Sequence, residues 1–141
     1  MNKEFSKTWK ASKRPGKQRK YSAKAPLHVK QKLVSANLSK ELRTKHKVRS
    51  LPLRKGDTVK IMRGKFKGKK GKITKVMLKI SRVYVEGIQI KKLDNSKVDV
   101  KMQPSKLQIQ ELNMDDKKRL KNLNKQAKSM EKTEAKQEAK K

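Results

Sequence analysis

Apolar and polar residues alternate with a period of two through the middle of the chain. This is the repeat of a half-buried β-strand, in which successive side chains point to opposite faces. The alternating apolar positions are Val59 and Ile61; Val76, Leu78 and Ile80; Val83 and Val85; Ile88 and Ile90; Val98, Val100 and Met102; and Leu107 and Ile109. About five or six short strands joined by turns predict a small antiparallel barrel, which we place over residues 56–112.

Two local signals add detail to this barrel. Ile73 is apolar in the opposite phase to Val76, and a phase slip within one strand predicts a β-bulge or a sharp bend. The three residues Asp94–Ser96 are typical of a tight turn, so they predict a hairpin between two of the strands.

The residues before the barrel, 27–55, predict two short helices and an extended basic link. The second helix runs roughly from Ser39 to His46, with Ser39 or Asn37 as its cap. Pro52 disfavours helix at the residue before it, so the link is expected to be extended.

The residues after the barrel, 113–141, predict a C-terminal helix and a frayed tail. Asn113 or Asp115 can cap this helix, because a carboxylate or amide oxygen accepts a hydrogen bond from the first helical N–H groups. The helix has an amphipathic stripe formed by Leu120, Leu123, Ala127 and Met130.

The composition adds a very large positive charge. The 141 residues include 43 basic and 12 acidic side chains, a net charge of +31. Residues 1–55 hold 18 basic and 2 acidic side chains, whereas residues 56–112 hold 17 of the 29 Leu, Ile, Val and Phe residues. This is the pattern of a small folded body with a basic arm. Such a chain repels itself unless a polyanion neutralises it, so nucleic acid and an anionic membrane surface are the candidate partners.

The sequence excludes several other classes of function. No apolar run approaches the about 18 residues of a transmembrane helix, so no membrane insertion is expected, and the first residues do not form a secretory signal. The absence of cysteine excludes disulfides, thiol catalysis and cysteine-ligated zinc. The two histidines, His28 and His46, have no acidic neighbours that predict a metal site. The carboxylates are scattered, so no catalytic group and no cofactor are predicted.

Residues 1–26 form a basic N-terminal arm. Basic residues occur about every third position in the arm, and Pro15-Gly16 and Pro26 predict that it has no regular structure. A solvated disordered tail is one interpretation. We favour an arm that folds on its partner, because aromatic rings can stack on bases. Its rings are Phe5, Trp9 and Tyr21.

The most informative segment is the loop Arg63–Lys72, with the sequence RGKFKGKKGK. Three glycines and six basic residues lie between two predicted strands, and glycine allows positive φ and a close approach of the backbone to another molecule. The loop can therefore place N–H groups against phosphates while its lysines neutralise charge. Phe66 either stacks on a base or plugs the end of the barrel. A solvated hairpin tip is the alternative, but six cations without an acid favour phosphate contact.

This loop is not a nucleotide-binding P-loop. That motif requires Gly, four residues, and then Gly-Lys followed by Ser or Thr. Here Gly71-Lys72 is followed by Ile73, and the residue five before Gly71 is Phe66.

The stretch Lys55–Ile73, KGDTVKIMRGKFKGKKGKI, resembles the KOW motif. That motif occurs in SH3-like barrels of both ribosomal and transcription-elongation proteins, so alone it leaves the two classes open. LSKELR at 38–43, followed by VRSLPLRKGD at 48–57, is more specific. Together with PSKL at 104–107, it resembles large-subunit ribosomal protein family twenty-four, in its archaeal and eukaryotic branch, whose eukaryotic members are numbered twenty-six. The resemblance covers roughly residues 22–122.

The resemblance implies a mainly β fold: a small SH3-like barrel that carries a KOW motif, with short flanking helices. It implies a structural constituent of the large subunit in the cytoplasmic ribosome. Such a protein binds large-subunit rRNA in its 5′ portion, supports assembly near the polypeptide exit region and contacts neighbouring large-subunit ribosomal proteins. We expect no enzyme activity, cofactor, metal or homo-oligomer.

The candidate RNA-binding residues fall into three groups. The resemblance implies that the segment Arg43–Lys55 and the loop Arg63–Lys72 face RNA, and the charge pattern adds the arm. The candidates are Lys13, Arg14, Lys17, Arg19 and Lys20 in the arm; Arg43, Lys47, Arg49, Arg54 and Lys55 before the barrel; and Arg63, Lys65, Phe66, Lys67, Lys69, Lys70 and Lys72 in the loop, with Gly64, Gly68 and Gly71 setting its backbone geometry.

Two other classes compete with a ribosomal protein. A transcription-elongation factor with a KOW barrel is expected, by family resemblance, to carry a folded α/β domain ahead of it. Residues 1–55 are too basic and too poor in apolar residues for such a domain. A polycation that coats chromatin or a membrane surface needs neither a barrel core nor a loop bracketed by glycines.

Overall fold

The computed structural model describes residues 5–6, 8–116, 118–119 and 123. Most of its regular structure is β, in agreement with the predicted fold class. The helices are α1 Pro15–Lys24, α2 Leu27–Leu33 and α3 Lys40–His46. The strands are β1 Ser35–Leu38, β2 Ser50–Pro52, β3 Thr58–Ile61, β4 Lys70–Met77, β5 Arg82–Val85, β6 Gln89–Lys91, β7 Lys97–Asp99 and β8 Leu107–Glu111, and 3-10 helices occur at Leu78–Ile80 and Pro104–Lys106.

Six of the described strands form one sheet in the order β2-β1-β8-β3-β4-β5, and β6 and β7 form a separate ribbon. The pairings are antiparallel except that β1 runs parallel to β8. Beyond β5, a single bridge joins Val83 to Met102, so the continuous ladder of the described strands ends there. The predicted β-rich body is confirmed, but these strands are neither all antiparallel nor closed into a barrel.

Strand β1 lies where the sequence predicted only helices. Val34, Ala36 and Leu38 are 1%, 2% and 0% exposed, so alternate side chains face the core. Ala36 pairs with Leu51 of β2, which itself was predicted as part of the extended link. The predicted β region began at residue 56, and the structure adds two strands before it. Ser39 does cap the next helix, since its hydroxyl accepts a hydrogen bond from the N–H of Leu42 at 3.3 Å.

One core lies on the inner face of the sheet. Burying apolar side chains is the main favourable term in folding, so this cluster holds the strands together. Its best buried members are Val34, Leu38, Val59, Ile61, Ile73, Val83, Val85, Ile88, Leu107 and Ile109.

The predicted irregularity in the fourth strand is confirmed. The register between β4 and β5 shifts between Ile73 and Lys75. The strand predicted through Leu78 and Ile80 is wrong, because these residues form a 3-10 helix that ends where Ser81 takes a left-handed φ of 52°. The change of backbone conformation turns the chain back into β5.

The hairpin turn at Asp94–Ser96 is also confirmed. It connects β6 to β7, and the N–H of Ser96 donates to Asp94 Oδ1 at 3.0 Å. Asn95 takes a positive φ of 64°, a conformation that asparagine adopts more readily than most residues. Hydrogen bonds from the hydroxyl and N–H of Ser96 lower the pKa of Asp94 from its ordinary value.

The arm contains helix α1 where its Pro-Gly pair predicted irregular structure. Pro15 occupies the first turn, where its missing N–H is not needed and its fixed φ suits a helix. Outside the helix, Trp9 stacks on Tyr21 with ring centroids 4.7 Å apart, and Phe5 lies 4.8 Å from the same ring. Phe5 and Trp9 therefore both contact Tyr21 and hold the start of the arm against α1.

In the segment after β8, the described helical residues have a capping residue other than the predicted Asn113 or Asp115. Asp116 Oδ1 accepts hydrogen bonds from the N–H groups of Lys118 and Arg119, which have helical conformation. Leu123 of the predicted stripe is 2% exposed and packs in the core. The other stripe positions, Leu120, Ala127 and Met130, lie outside the described residues. Within the part of the chain that the structure describes, no helix has the length and apolarity needed to cross a bilayer.

Candidate nucleic-acid interface

The predicted loop Arg63–Lys72 comprises the end of the β3–β4 hairpin and the first three residues of β4, since β4 begins at Lys70. At its base, Gly68 N–H donates to Ile61 O at 2.8 Å, and Ile61 N–H donates to Lys69 O at 2.9 Å. Gly64 and Gly68 have φ values of +94° and +89°, and a Cβ at either position would meet nothing within 4 Å. Glycine is needed at these two positions because of the backbone angle, since space is available.

Gly71 has a different role. A Cβ at this position would lie 2.7 Å from the carbonyl oxygen of Glu86 and 2.9 Å from a methyl group of Val85. Its missing side chain allows β4 to lie close to the end of β5. Gly71 therefore belongs to the packing of the sheet, whereas Gly64 and Gly68 shape the loop.

Phe66 lies at the boundary between the loop and the core. It is partly buried and packs against the core cluster. The Lys69 ammonium lies 5.6 Å from the ring centroid, within the range of a cation–π contact. The ring therefore packs on the core, as the plug interpretation requires, and it is partly exposed, so contact of its exposed part with a base stays a prediction.

The six cations of the loop are all exposed, and none pairs with a carboxylate of the described residues. Unpaired cations at this density repel one another and attract a polyanion. They are Arg63, Lys65, Lys67, Lys69, Lys70 and Lys72.

The five candidates before β3 do not form one free surface. Arg43 is half-buried, and its Nε donates to Leu38 O at 3.0 Å. Arg54 forms an ion pair with Asp116. Lys47 ends α3 in a left-handed conformation with a φ of 51°. Arg49 and Lys55 are exposed. Arg43 and Arg54 therefore already have structural roles.

The five arm candidates are exposed at or on helix α1. Arg14 is the residue directly before the helix, and three further candidates, Lys17, Arg19 and Lys20, lie on the helix. Lys13 precedes them. Lys17 and Lys20 are three residues apart, so they lie on one face. The helix has no buried residue, and its basic side chains are exposed, although Phe5 and Trp9 cover part of it at Tyr21.

Residues 12–126 match the family model that covers ribosomal protein L26 of eukaryotes and its archaeal counterpart, ribosomal protein L24. This match covers most of the chain. The chain belongs to this family.

Membership makes the chain a structural constituent of the large subunit of the cytoplasmic ribosome, with a part in translation. Its partners as a family member are rRNA and other ribosomal proteins. The class of protein expected from the KOW stretch and the flanking segments is confirmed.

This ribosomal protein also contains a buried ion pair that sequence reasoning missed. Asp57 is 0% exposed and Arg119 is 5% exposed. Arg119 Nη1 lies 2.5 Å from Asp57 Oδ1, and Nη2 lies 2.8 Å from Oδ2. The planar guanidinium matches the carboxylate in two parallel hydrogen bonds, the strongest form of this contact. We call this pair the Asp57–Arg119 clasp.

Further hydrogen bonds satisfy the other polar atoms of the clasp. Arg54 N–H donates to Asp57 Oδ2 at 2.8 Å, and Asn113 N–H donates to Oδ1 at 3.0 Å. Arg119 also donates to the carbonyl oxygens of Asn113 at 2.9 Å and Pro52 at 3.3 Å. The clasp thus joins the link, the start of β3 and the segment after β8.

Gly56 makes room for this arrangement. Its φ is +89°, and a Cβ would lie 2.7 Å from Asn113 Nδ2. The feature of the sequence that points to the clasp is Asp57, an isolated carboxylate at the start of a strand in a basic region. Nothing in the spacing identifies Arg119 as its partner.

His46 is a partly buried titratable group at the end of α3. Burial, followed by the charge of Lys45, lowers the pKa of His46. Among the described residues, no cluster of three His, Cys, Asp or Glu side chains could hold a metal ion. The described site offers positive charge and backbone donors, which are the means of binding a polyanion.

Proposed function

We propose that this ribosomal protein binds large-subunit rRNA directly, in the 5′ portion of that RNA, and supports assembly near the polypeptide exit region. The observation that carries this proposal is the β3–β4 loop. Four cations at the hairpin end and two in the first residues of β4 are exposed with no partner among the described carboxylates, and Gly64 and Gly68 fix the shape of the hairpin end. Phosphate contacts of this kind position a protein on RNA.

We further propose that the β body is the SH3-like fold of a KOW-motif protein. The KOW-like stretch Lys55–Ile73 spans β3, the loop and the first half of β4. The irregular register after Ile73 suits the bent second strand of such folds. Strand β5 and the Val83–Met102 bridge extend the strand pairing beyond β4.

The proposed division of labour follows the chain. Residues 1–26 are an rRNA-binding arm, 27–55 are two short helices and a basic link, 56–112 are the KOW body, and 113–141 are a C-terminal helix and tail. The arm and the loop supply the phosphate contacts. A binding role without catalysis, cofactor or homo-oligomer accords with a structural family.

Salt titration tests the proposal most directly. If the arm, link and loop make about 6–10 phosphate contacts, affinity for large-subunit rRNA falls roughly 10³–10⁵-fold between about 50 and 200 mM salt. A nearly flat salt dependence in filter binding would contradict binding through phosphates. Co-sedimentation with large subunits, with polymerase or with bulk nucleic acid separates the ribosomal role from the two competing classes.

A further inference from the structure

A second cationic cluster borders the loop, and most of its members are absent from the candidate residues above. An open cleft of about 300 Å³ lies between the loop, β5 and the segment before β8. Three stretches that are distant in sequence converge on it. The basic side chains that line it are Arg63, Lys65, Arg82, Lys101 and Lys106.

The charge of this cleft is uncompensated. No acidic residue lines it, and none of its five cations forms an ion pair with a described carboxylate. Gly64, Lys65 and Phe66 also line it, and their backbone N–H groups donate to no acceptor within the described ranges. Five cations and three unused donors around one small cleft favour an anion as its occupant.

The cleft also has an apolar wall, formed by Phe66, Val100 and Met102. Met102 is 7% exposed, and Phe66 and Val100 are partly buried against the core, so these side chains are held in place. A simple phosphate group needs no such wall. The volume is at the lower limit of small-ligand pockets, which start at about 300 Å³, so it suits one small planar group and not a duplex.

We propose that this cleft binds a single unpaired nucleotide of RNA. The base packs against Phe66, Val100 and Met102, and the adjoining phosphates contact the cationic rim. The inference rests on the proposed rRNA binding and deepens it, because unpaired bases are the part of RNA that proteins read specifically. An acidic peptide would satisfy the rim, but it has less use for a rigid wall beside three backbone donors.

The test compares two variants that lose the same charge. The rim variant carries Arg82→Gln, Lys101→Gln and Lys106→Gln, and the control carries Lys79→Gln, Lys91→Gln and Lys92→Gln. The control positions are exposed and outside the cleft. Each full-length variant is measured by filter binding on large-subunit rRNA and on a plain RNA duplex, after circular dichroism has shown that it is folded.

The affinity for the duplex should fall by the same factor in both variants, because each loses three charges. On rRNA the rim variant should lose a further roughly tenfold to hundredfold, the usual effect of losing one bound base. Photo-cross-linking with 4-thiouridine in the rRNA should attach one nucleotide near Phe66 or Val100–Gln103 in the wild type and in the control. The rim variant should lose that cross-link.

Each other outcome overturns a defined statement. Equal weakening of the two variants on both RNAs, with no cross-link at the wall, means that the cleft is only part of a diffuse positive surface, although rRNA binding stands. In a competition experiment, poly-glutamate that abolishes the cross-link as effectively as unlabelled rRNA does would identify an acidic protein segment as the occupant instead. A wild-type protein that does not bind rRNA contradicts the proposed function, and this inference is then wrong as well.

Discussion

The Asp57–Arg119 clasp and the β3–β4 loop place their charged side chains in opposite environments, although Asp57 lies only a few residues before Arg63. In the clasp, both charges are buried, and each carboxylate oxygen accepts from the guanidinium and from a backbone N–H. In the loop, six cations are exposed without a described carboxylate partner. A charge inside the body is stable only when it is fully matched, whereas charges on the loop are available to a partner outside the chain.

The largest expected effect is on the clasp. Arg119→Ala leaves the Asp57 carboxylate buried without its counterion, so the free energy of unfolding should fall by about 3–5 kcal/mol. Urea denaturation measures this loss. Arg119→Lys is the matched control, because it keeps the charge but cannot form the two parallel bonds. The free energy of unfolding should fall less in Arg119→Lys than in Arg119→Ala. An equal fall would mean that a positive charge without the two parallel bonds does not stabilise the buried Asp57.

The loop should respond in the opposite way. Replacing Lys65, Lys67, Lys69 and Lys70 by Ala removes about four phosphate contacts, so the salt slope of rRNA binding should fall by about 3–4 and affinity roughly 100-fold. The unfolding free energy should change by less than about 1 kcal/mol, since these side chains carry no core volume. Filter binding and thermal unfolding on one sample check both. An unchanged salt slope would remove the loop from the RNA-binding surface.

A pair of glycine variants locates the border between the loop and the sheet. Gly71→Ala places a methyl group against the backbone of Glu86, so it should destabilise the protein by about 1–3 kcal/mol through overpacking. Gly68→Ala has space but an unfavourable φ, and should lose about 1–2 kcal/mol. Denaturant melts compare the two. A larger loss at Gly68 than at Gly71 would contradict the assignment of Gly71 to sheet packing.

The smallest effect concerns His46, a titratable group that is partly buried, and so intermediate between the buried clasp and the exposed loop. Burial and Lys45 lower its pKa below 6.5, so the folded protein binds its proton less readily than the unfolded chain. The contribution of His46 to the free energy of unfolding is therefore fully present above pH 6.5, and it is lost as the pH falls below that value. Unfolding of wild type and His46→Gln on either side of that pH measures the effect. The variant should lose part of the pH dependence, and an identical profile would exclude His46 as its source.

Local signals in the sequence predicted much of the fold. The Ser39 cap, the turn at Asp94–Ser96 and the slip after Ile73 each depend on a few neighbouring residues, and all are present. Strand β1 was missed although Val34, Ala36 and Leu38 alternate, because alanine is a weak apolar signal and the run is short. Proline next to glycine usually breaks a helix, but Pro15 stands at a first helical position and starts one.

Contacts between distant residues could not be predicted in the same way. Asp57 and Arg119 are 62 positions apart, and many basic residues could have paired with the acid. The cleft around Phe66 depends on Arg82 and Lys106, which come together only once β5 and β8 are in place. The candidate loop was visible because its residues are contiguous, and the cleft was not because its residues are dispersed.

The parallel pairing of β1 with β8 has a consequence for the time course of synthesis. Asn37 pairs with Gln108 and Leu38 with Ile109, so this ladder connects parts of the chain about 70 residues apart. Contacts of such high sequence separation form slowly, and they cannot form until the later strand has been translated. The cationic arm therefore leaves the translating ribosome well before the body can close around β8. During that interval the nascent chain is a polycation without its finished scaffold.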